Sequence, residues 1–480
     1  MAKPTERGHK LTRVAFRVSR LMEFCSEKEL AIQTGHPIEH WPLVLVKELF
    51  DNALDACEED EVAPEIKIII DKDGTITVID NAGGFATETI RAVLDYSIRV
   101  SSREAYVSPT RGAQGNALKT ILAIGYVLDR EGDFGKKIND EAVGVTVIET
   151  RGRSHRIEFR VDHVNNQPKL THTVMPCARS RGTVKWPKPR GRHLAYANDW
   201  LARQEANIKA LTESYAWLNP HLSLRGVWRG KTFIDVKATD PNWQKWRPRD
   251  PTSPHWYSAS RMQRYLAAHV AHDRDLGRDG TVRDFLAEFR GLARTGVRKK
   301  ILSEIGCSHQ SLAQFFGKDR VNRKGIARLL RAMRKYSKPV LPKHLGVIGR
   351  EHLKQRFLAA GGNIGTFKYE LETGYTENGI PFVIEIAFGL HQAGLKPKAG
   401  KDVARRFVVG VNWSVAINNP FRTFGSTGQG LENMLAELRV NAHEPVICCM
   451  HLASAHVQYA DRGKSSIVLS DADEMEPGDE

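Results

Sequence analysis

Within the segment LVKELFDNALDAC, residues 45–57, Glu48, Asn52 and Asp55 recur at helical spacing, which brings two carboxylates and an amide close to one face. A carboxylate so placed can orient and deprotonate water. The amide oxygen four residues on can help hold a magnesium ion already bound by phosphates, so the chemistry on offer is hydrolysis of ATP. An amphipathic helix with its polar residues turned to solvent would show the same spacing, so context has to decide. In ITVIDNAGGF, Asp80 ends an apolar run and is followed by the pair Gly83 and Gly84. An acid at a strand end, beside backbone free to approach a ligand, can accept a hydrogen bond from the exocyclic amine of adenine. In RGAQGNALKTILAIGY, Gly112 and Gly115 precede a strongly apolar helix whose free N–H groups and positive end can receive phosphates. The Walker spacing G-x-x-x-x-G-K-S/T is absent, and Lys119 falls inside the helical segment.

Taken in this order, ELFDNALDA, DNAGGF and RGAQGNALKT resemble the N box and the two glycine boxes of the GHKL superfamily. That superfamily joins gyrase, heat-shock chaperones, histidine kinases and mismatch-repair ATPases. The resemblance implies an α+β ATPase domain of the Bergerat type, with Glu48 as general base, Asn52 as ligand of an ATP-bound magnesium ion and Asp80 as the adenine reader. It further implies nucleotide contacts from Asp55, Gly84, Gly112, Gln114, Gly115, Asn116, Ala117 and Lys119, and from Thr183 in the segment RGT, which is similar to the threonine motif closing the adenine pocket. The chain departs from the family pattern at Ala82 and Ala117, where glycines are usual, and methyl groups there could tighten or weaken the glycine-rich lid.

The elements that must position these residues follow from periodicity. A helix over 42–59 precedes the alternating EIKIIIDKDGTITVID, whose Asp73-Gly74 step fits a hairpin turn. Further strands are expected at 143–150, 156–161 and 182–186, giving an ATPase domain over 15–235. The stretch 241–254, rich in Pro, Trp, Arg and Asp, reads as a linker or an irregular excursion. Residues 255–345 read as almost wholly helical and basic, with ten Lys or Arg and one acid, Asp319, between Lys318 and Lys343. Alternation returns over 346–468, with a helix around 430–439, and six acids in the last ten residues mark 469–480 as an acidic tail. The acids of DAD, residues 471–473, lie in that tail, outside any strand pattern.

With 480 residues the chain is long enough for two or three cores. A formal charge of +15 points to a polyanionic partner, with nucleic acid first. The cysteines at 25, 57, 177, 307, 448 and 449 show no zinc-ligand spacing and read as reduced thiols, with Cys448 and Cys449 buried in a strand. No run of about eighteen apolar residues occurs, so no membrane association and a cytoplasmic, nucleoid-associated location are expected.

Across 15–468 the chain resembles the B subunits of topoisomerase VI. TVRDFLAEFRGLARTGVRKKILSEIG and RKGIARLLRAMRKY are similar to that family's helix-two-turns-helix insert, a compact basic module that reads as a DNA-backbone binder, with a solvated spacer as the alternative. PFVIEIAFG and PVICCMHLASAHVQYADRGKSSIV resemble strands of its transducer domain, of the ribosomal-S5-like type, which makes Lys464 the lysine directed at the ATP γ-phosphate. The implied partners are double-stranded DNA, a second copy joined on ATP binding, and an A-type subunit supplying the cleaving tyrosine and toprim acids. The alternative keeps the ATP clamp on DNA in a defence or chromosome-organising role without strand passage. A sensor kinase is disfavoured, since no phosphoacceptor-His helix pair precedes Glu48; the basic helical insert disfavours a chaperone.

Overall fold

The alternation in EIKIII turns Ile66, Ile68 and Ile70 into the core while Glu65, Lys67 and Ile69 face outward, and this strand lies near the middle of the first sheet. The computed structural model describes residues 24–94, 106–111, 117–131, 141–162, 167–186, 201–317, 320–392, 405–422, 430–437, 444–460, 464 and 466–468. The expected sites Gly112, Gln114, Gly115 and Asn116 lie outside the described residues, as do residues 15–23 and the acidic tail.

The first unit holds helices α1 (Glu27–Thr34), α2 (Trp41–Glu59), α3 (Thr87–Val93), α4 (Ala117–Glu131) and α5 (Glu205–Leu218). Its strands are β1 (Glu65–Ile70), β2 (Ile76–Ile79), β3 (Gly144–Thr150), β4 (Arg153–Asp162), β5 (Gln167–Pro176), β6 (Thr183–Trp186), β7 (Ser223–Trp228) and β8 (Lys231–Val236). They form one sheet in the order β5-β4-β3-β6-β2-β1-β7-β8, antiparallel throughout except where β1 runs parallel to β7. Helix α2 starts with Pro42 in its first turn, where a missing N–H costs nothing, and buries Trp41, Leu45, Leu49 and Leu54.

Residues 241–254 are irregular but not a loose linker. Trp246 packs against Trp256 with ring centroids 4.8 Å apart, both fully buried, and Lys245 is buried beside them. Helices α6 (Ala259–Asp275), α7 (Val282–Ala287), α8 (Thr295–Ile305), α9 (Leu312–Phe316) and α10 (Arg323–Lys335) follow. On α10, Asn322 caps the first turn by accepting the Gly325 N–H at 3.0 Å. Ile326, Leu329, Leu330 and Met333 of that helix are buried, while Arg323, Lys324, Arg328, Arg331 and Lys335 lie on its more open side.

The last unit begins with α11 (Arg350–Ala359) and carries β9 (Lys368–Tyr375), β10 (Pro381–Leu390), β11 (Arg406–Val411), β12 (Ser414–Val415), α12 (Leu431–Glu437) and β13 (Val446–Ser454). The sheet order is β12-β11-β13-β10-β9, and a separate hairpin pairs β14 (Gln458–Tyr459) with β15 (Ile467–Val468). Cys448 and Cys449 are buried on β13 and unbonded. The inner face of β10 buries an acid: Glu385 accepts the N–H groups of Ile348 and Gly349 and the Tyr369 hydroxyl, each at 2.8 Å. Among the described residues no helix is long and apolar enough to cross a membrane.

Candidate nucleotide site

Two sides of α2 meet different surroundings. Asn52 is exposed, and Glu48 is 30% exposed with Oε1 3.6 Å from the Lys47 ammonium. Asp51, on the neighbouring side, is buried. Lys47 Nζ donates to its Oδ2 at 2.7 Å, as does Ser414 Oγ, and the Tyr215 hydroxyl donates to Oδ1 at 2.8 Å. Burial works against the Asp51 charge, yet Lys47 and then Arg111 outweigh it and hold the carboxyl below the usual range.

Further along the helix the Arg111 guanidinium, fully buried, donates to Asp55 Oδ1 at 2.6 Å, to both oxygens of Glu58 at 2.7 Å, and to Asn219 Oδ1 at 2.7 Å. Glu58 also takes the Lys245 ammonium at 2.7 Å and lies 3.1 Å from His221 Nε2. Burial would raise the Glu58 pKa, but Arg111 and Lys245 hold it well below the usual range. Asp55, a quarter exposed, is pushed up to about 6, chiefly by burial and further by Glu58, with Arg111 opposing. Asp55, expected to face nucleotide, is therefore engaged by the residue that precedes the glycine-rich segment.

The end expected to take adenine is built from β2 and the strand beside it. Asp80 follows β2, its Oδ1 accepts the Ala82 N–H at 3.0 Å, and burial raises its pKa. A Cβ on Gly182 would stand 2.8 Å from both Asp80 carboxylate oxygens, so only glycine leaves that space open beside the acid. Gly84 adopts φ +71°, and a Cβ there would collide with Thr150 Oγ1, so this turn needs glycine on both counts. Ala82 is buried without a positive φ, which explains how the usual glycine can be replaced. Thr183 opens β6, its backbone paired with Ile79 and Glu149. Ala117 opens α4, and Lys119 is buried in the first turn.

Lys464 arrives from the far end of the chain, between β14 and β15. Its side chain is exposed overall, but its ammonium is crowded: Nζ donates to the Arg111 carbonyl at 3.3 Å and stands 5.7 Å from the centre of the Tyr459 ring. Burial of that end lowers its pKa, Lys47 adds to the effect, and Glu48 and Asp51 pull the other way. Glu48 and Lys464, more than four hundred residues apart, thus lie within electrostatic reach of each other.

Residues that sequence reasoning passed over complete the site. Glu58, Lys245, Tyr215, Ser414 and Tyr459 were not singled out, and Arg111 opens RGAQGNALKT without its role being legible there, since a buried ion pair announces itself only through its partners. Asn81, inside the quoted DNAGGF, is structural: its Oδ1 accepts the Glu65 N–H at 2.9 Å and its Nδ2 donates to the Ala63 carbonyl at 3.0 Å.

The frame is an α+β domain of the kind expected for a GHKL ATPase, with the candidate base on a helix and the candidate adenine reader at a strand end. Its curated homologues are named as B subunits of type 2 DNA topoisomerase 6. The B subunit of Archaeoglobus fulgidus is 23% identical over 445 residues, covering 88% of this chain and 66% of that protein. That of Natronomonas pharaonis is 26% identical over 232 residues, covering 46% and 26%. That of Methanosarcina barkeri is 23% identical over 438 residues, covering 88% and 64%. The chain therefore spans less than two thirds of the length of each of these relatives. No family model matches it. Among solved structures, the Aquifex aeolicus MutL ATPase domain complexed with ADP aligns at TM-score 0.33 and 12% identity, covering 85% of this chain and 89% of that one. The Thermus thermophilus gyrase B 43K ATPase domain aligns at 0.36 and 12%, covering 94% and 86%. Superpositions this loose add nothing about function.

Proposed function

We propose that the chain binds and hydrolyses ATP as the B subunit of a topoisomerase VI-like enzyme, with ATP joining two copies into a gate for DNA and an A-type partner cutting the duplex. The observation that carries this is that Lys464 of the last unit reaches into the first, its Nζ donating to the Arg111 carbonyl at 3.3 Å immediately before the glycine-rich segment. A phosphate end placed there would be approached by groups from both units, so nucleotide binding would favour one arrangement of the two over others. The absence of a side chain at Gly182 leaves the Asp80 carboxylate uncovered on that side, where an adenine amine would donate to it. Glu48, open to solvent, would take the proton of the attacking water, and Asn52 would help hold the magnesium that neutralises the phosphates. Lys464 would supply a positive charge to the terminal phosphate. Arg323, Lys324, Arg328 and Arg331 on the open side of α10 offer a face for DNA phosphates, and a DNA substrate implies a cytoplasmic, nucleoid-associated location.

Calorimetry with ATP and magnesium tests the first step: wild type should bind, and Asp80→Asn should bind more weakly. Equal affinity in the two would remove Asp80 from the site. Light scattering should show a doubled mass with a non-hydrolysable analogue, a response weakened by Lys464→Ala. An unchanged mass with and without analogue would count against the gate. Supercoiled DNA should be relaxed only when the A-type partner is added. Relaxation by the chain alone would overturn the subunit assignment, and none with its natural partner would favour the clamp without strand passage.

A further inference from the structure

The turn joining β11 to β12 consists of Asn412 and Trp413, at φ +50° and +62°, both in the left-handed region. Such a turn matches the twist of paired strands, but without glycine it has to be held in place by its surroundings. Both residues are held from two sides. From β13, His451 Nε2 accepts the Trp413 N–H at 3.1 Å, and the Ser454 N–H donates to Asn412 Oδ1 at 2.9 Å. From the first unit, Asn219 Nδ2 donates to the Trp413 carbonyl at 3.1 Å, and Asn412 Nδ2 donates to the Thr110 carbonyl at 3.4 Å. The Trp413 side chain is fully buried. The turn is thus shaped by the last sheet and seated in the ATPase unit.

Ser414, the first residue past the turn, carries this seating onto α2. Its hydroxyl donates to Asp51 Oδ2 at 2.7 Å, the same oxygen that takes the Lys47 ammonium at 2.7 Å, while the Tyr215 hydroxyl donates to Oδ1 at 2.8 Å. With both oxygens engaged, the buried carboxylate is held in one orientation. Lys47 is placed by it in turn, its ammonium standing between Asp51 and Glu48 and 3.6 Å from Glu48 Oε1. Consecutive residues on a helix point apart, so Lys47 and Glu48 do not meet through helical spacing alone. Their contact depends on where Asp51 draws the lysine.

We propose that Ser414 is a positioning residue for the hydrolysis step, holding Glu48 in place through Asp51 and Lys47, so that the seating of the β11–β12 turn in the first unit sets the turnover of ATP. The inference rests on the proposed ATPase reading. Without the Ser414 hydroxyl the Asp51 carboxylate can turn about its Cβ–Cγ bond, a rotation with broad wells, and Lys47 moves with it. Glu48 then loses the cation beside it and spends less time in the orientation from which it takes a proton from water. Ser414, Asp51 and Lys47 act on Glu48 rather than on the phosphates, so ATP affinity is kept while turnover slows.

The test uses the full chain with Ser414→Ala, Lys47→Gln and the double variant. Glutamine keeps a donor for the buried Asp51 but offers Glu48 no charge. Calorimetry with a non-hydrolysable ATP analogue gives both the affinity and the number of competent sites. The hydrolysis rate is then expressed per competent site, which separates slower turnover from a smaller folded fraction. Ser414→Ala should lower kcat per site roughly threefold to tenfold, the size of one lost hydrogen bond, with analogue affinity kept. Lys47→Gln should lower it at least as much. Because Ser414 acts through Lys47, the double variant should be no slower than Lys47→Gln alone. An unchanged rate per site in Ser414→Ala, a loss of analogue affinity in its place, or effects that multiply in the double variant overturns the inference and leaves the ATPase reading standing. If wild type neither binds nor hydrolyses ATP, the ATPase reading fails and the inference fails with it.

Discussion

The two sides of α2 carry the same chemical groups in opposite circumstances. On the open side Glu48 and Asn52 face solvent, while on the closed side Asp51 is buried against Lys47 of the same helix and Glu58 against Arg111 and Lys245 from two distant segments. A carboxylate that is to accept a proton from water has to be reachable. One that ties domains together has to be desolvated and fully paired, because a buried charge without its partner is costly. On the proposed reading, the helix separates chemistry from construction between neighbouring residues, and the same residue type serves as reagent or rivet according to what surrounds it.

The largest effect expected is on the closed side. Glu58→Ala leaves Arg111 and Lys245 buried without their shared partner and should cost about 3–5 kcal/mol of stability, read as a fall in the urea midpoint. A midpoint equal to that of Glu48→Ala would erase the distinction between the two sides.

Acid probes the same junction through His352, which is buried, lies 2.9 Å from the Trp217 carbonyl and pairs with the Thr239 hydroxyl. Burial, with Arg356 adding to it, pushes its pKa down from 6.5 to about 4. The unfolded chain then takes up the proton first, so stability is complete above about pH 6.5 and falls by about 3 kcal/mol as the pH drops towards 4. His352→Gln should flatten that limb in pH-dependent denaturation. An unchanged slope would show that His352 is not what the acid limb reports.

On the open side, Glu48→Ala should lower hydrolysis by about a hundredfold with ATP binding kept and stability near wild type. Normal turnover would remove Glu48 as the base. At the adenine end, Gly182→Ala should weaken ATP binding about tenfold, since the added methyl occupies the space beside the Asp80 carboxylate. Titration calorimetry decides it, and unaltered affinity would mean the adenine lies elsewhere. The smallest effect is on α10, where Arg328→Glu with Arg331→Glu should reduce the salt dependence of DNA affinity by about one phosphate contact each, leaving DNA-free ATPase activity alone. An unaltered salt slope would return the helix to the role of a spacer.

These contrasts mark what could be read from residues alone. Helix α2, the β1–β2 hairpin and the helical run before α11 follow from local periodicity, and their limits are near those that alternation and turn residues imply. Strand β5 carries QPKLTHTVMP, half exposed on an edge, and gives no clear apolar alternation to find. Glu48, Asn52 and Asp80 stood out because they sit in short, dense motifs. Arg111 lay inside one of those motifs yet its role depends on Glu58 and Asn219, and nothing local encodes a partner 53 or 108 residues away. The Pro- and Trp-rich stretch after β8 looked like a connector because its backbone is irregular, whereas its indoles make it core.

Those indoles have an optical consequence. Trp243, Trp246, Trp256 and Trp413, four of the chain's nine tryptophans, crowd the junction, with Trp243 and Trp413 centred 6.0 Å apart and Trp246 and Trp256 4.8 Å apart. The Lys245 ammonium stands 4.7 Å from the Trp413 ring and the Arg290 guanidinium 5.2 Å from that of Trp246. Emission from rings so close to one another and to cations depends on spacing at the ångström scale. The molecule therefore carries its own gauge of how the three units are seated, and unlabelled protein in a fluorimeter can register a rearrangement at the junction as it happens.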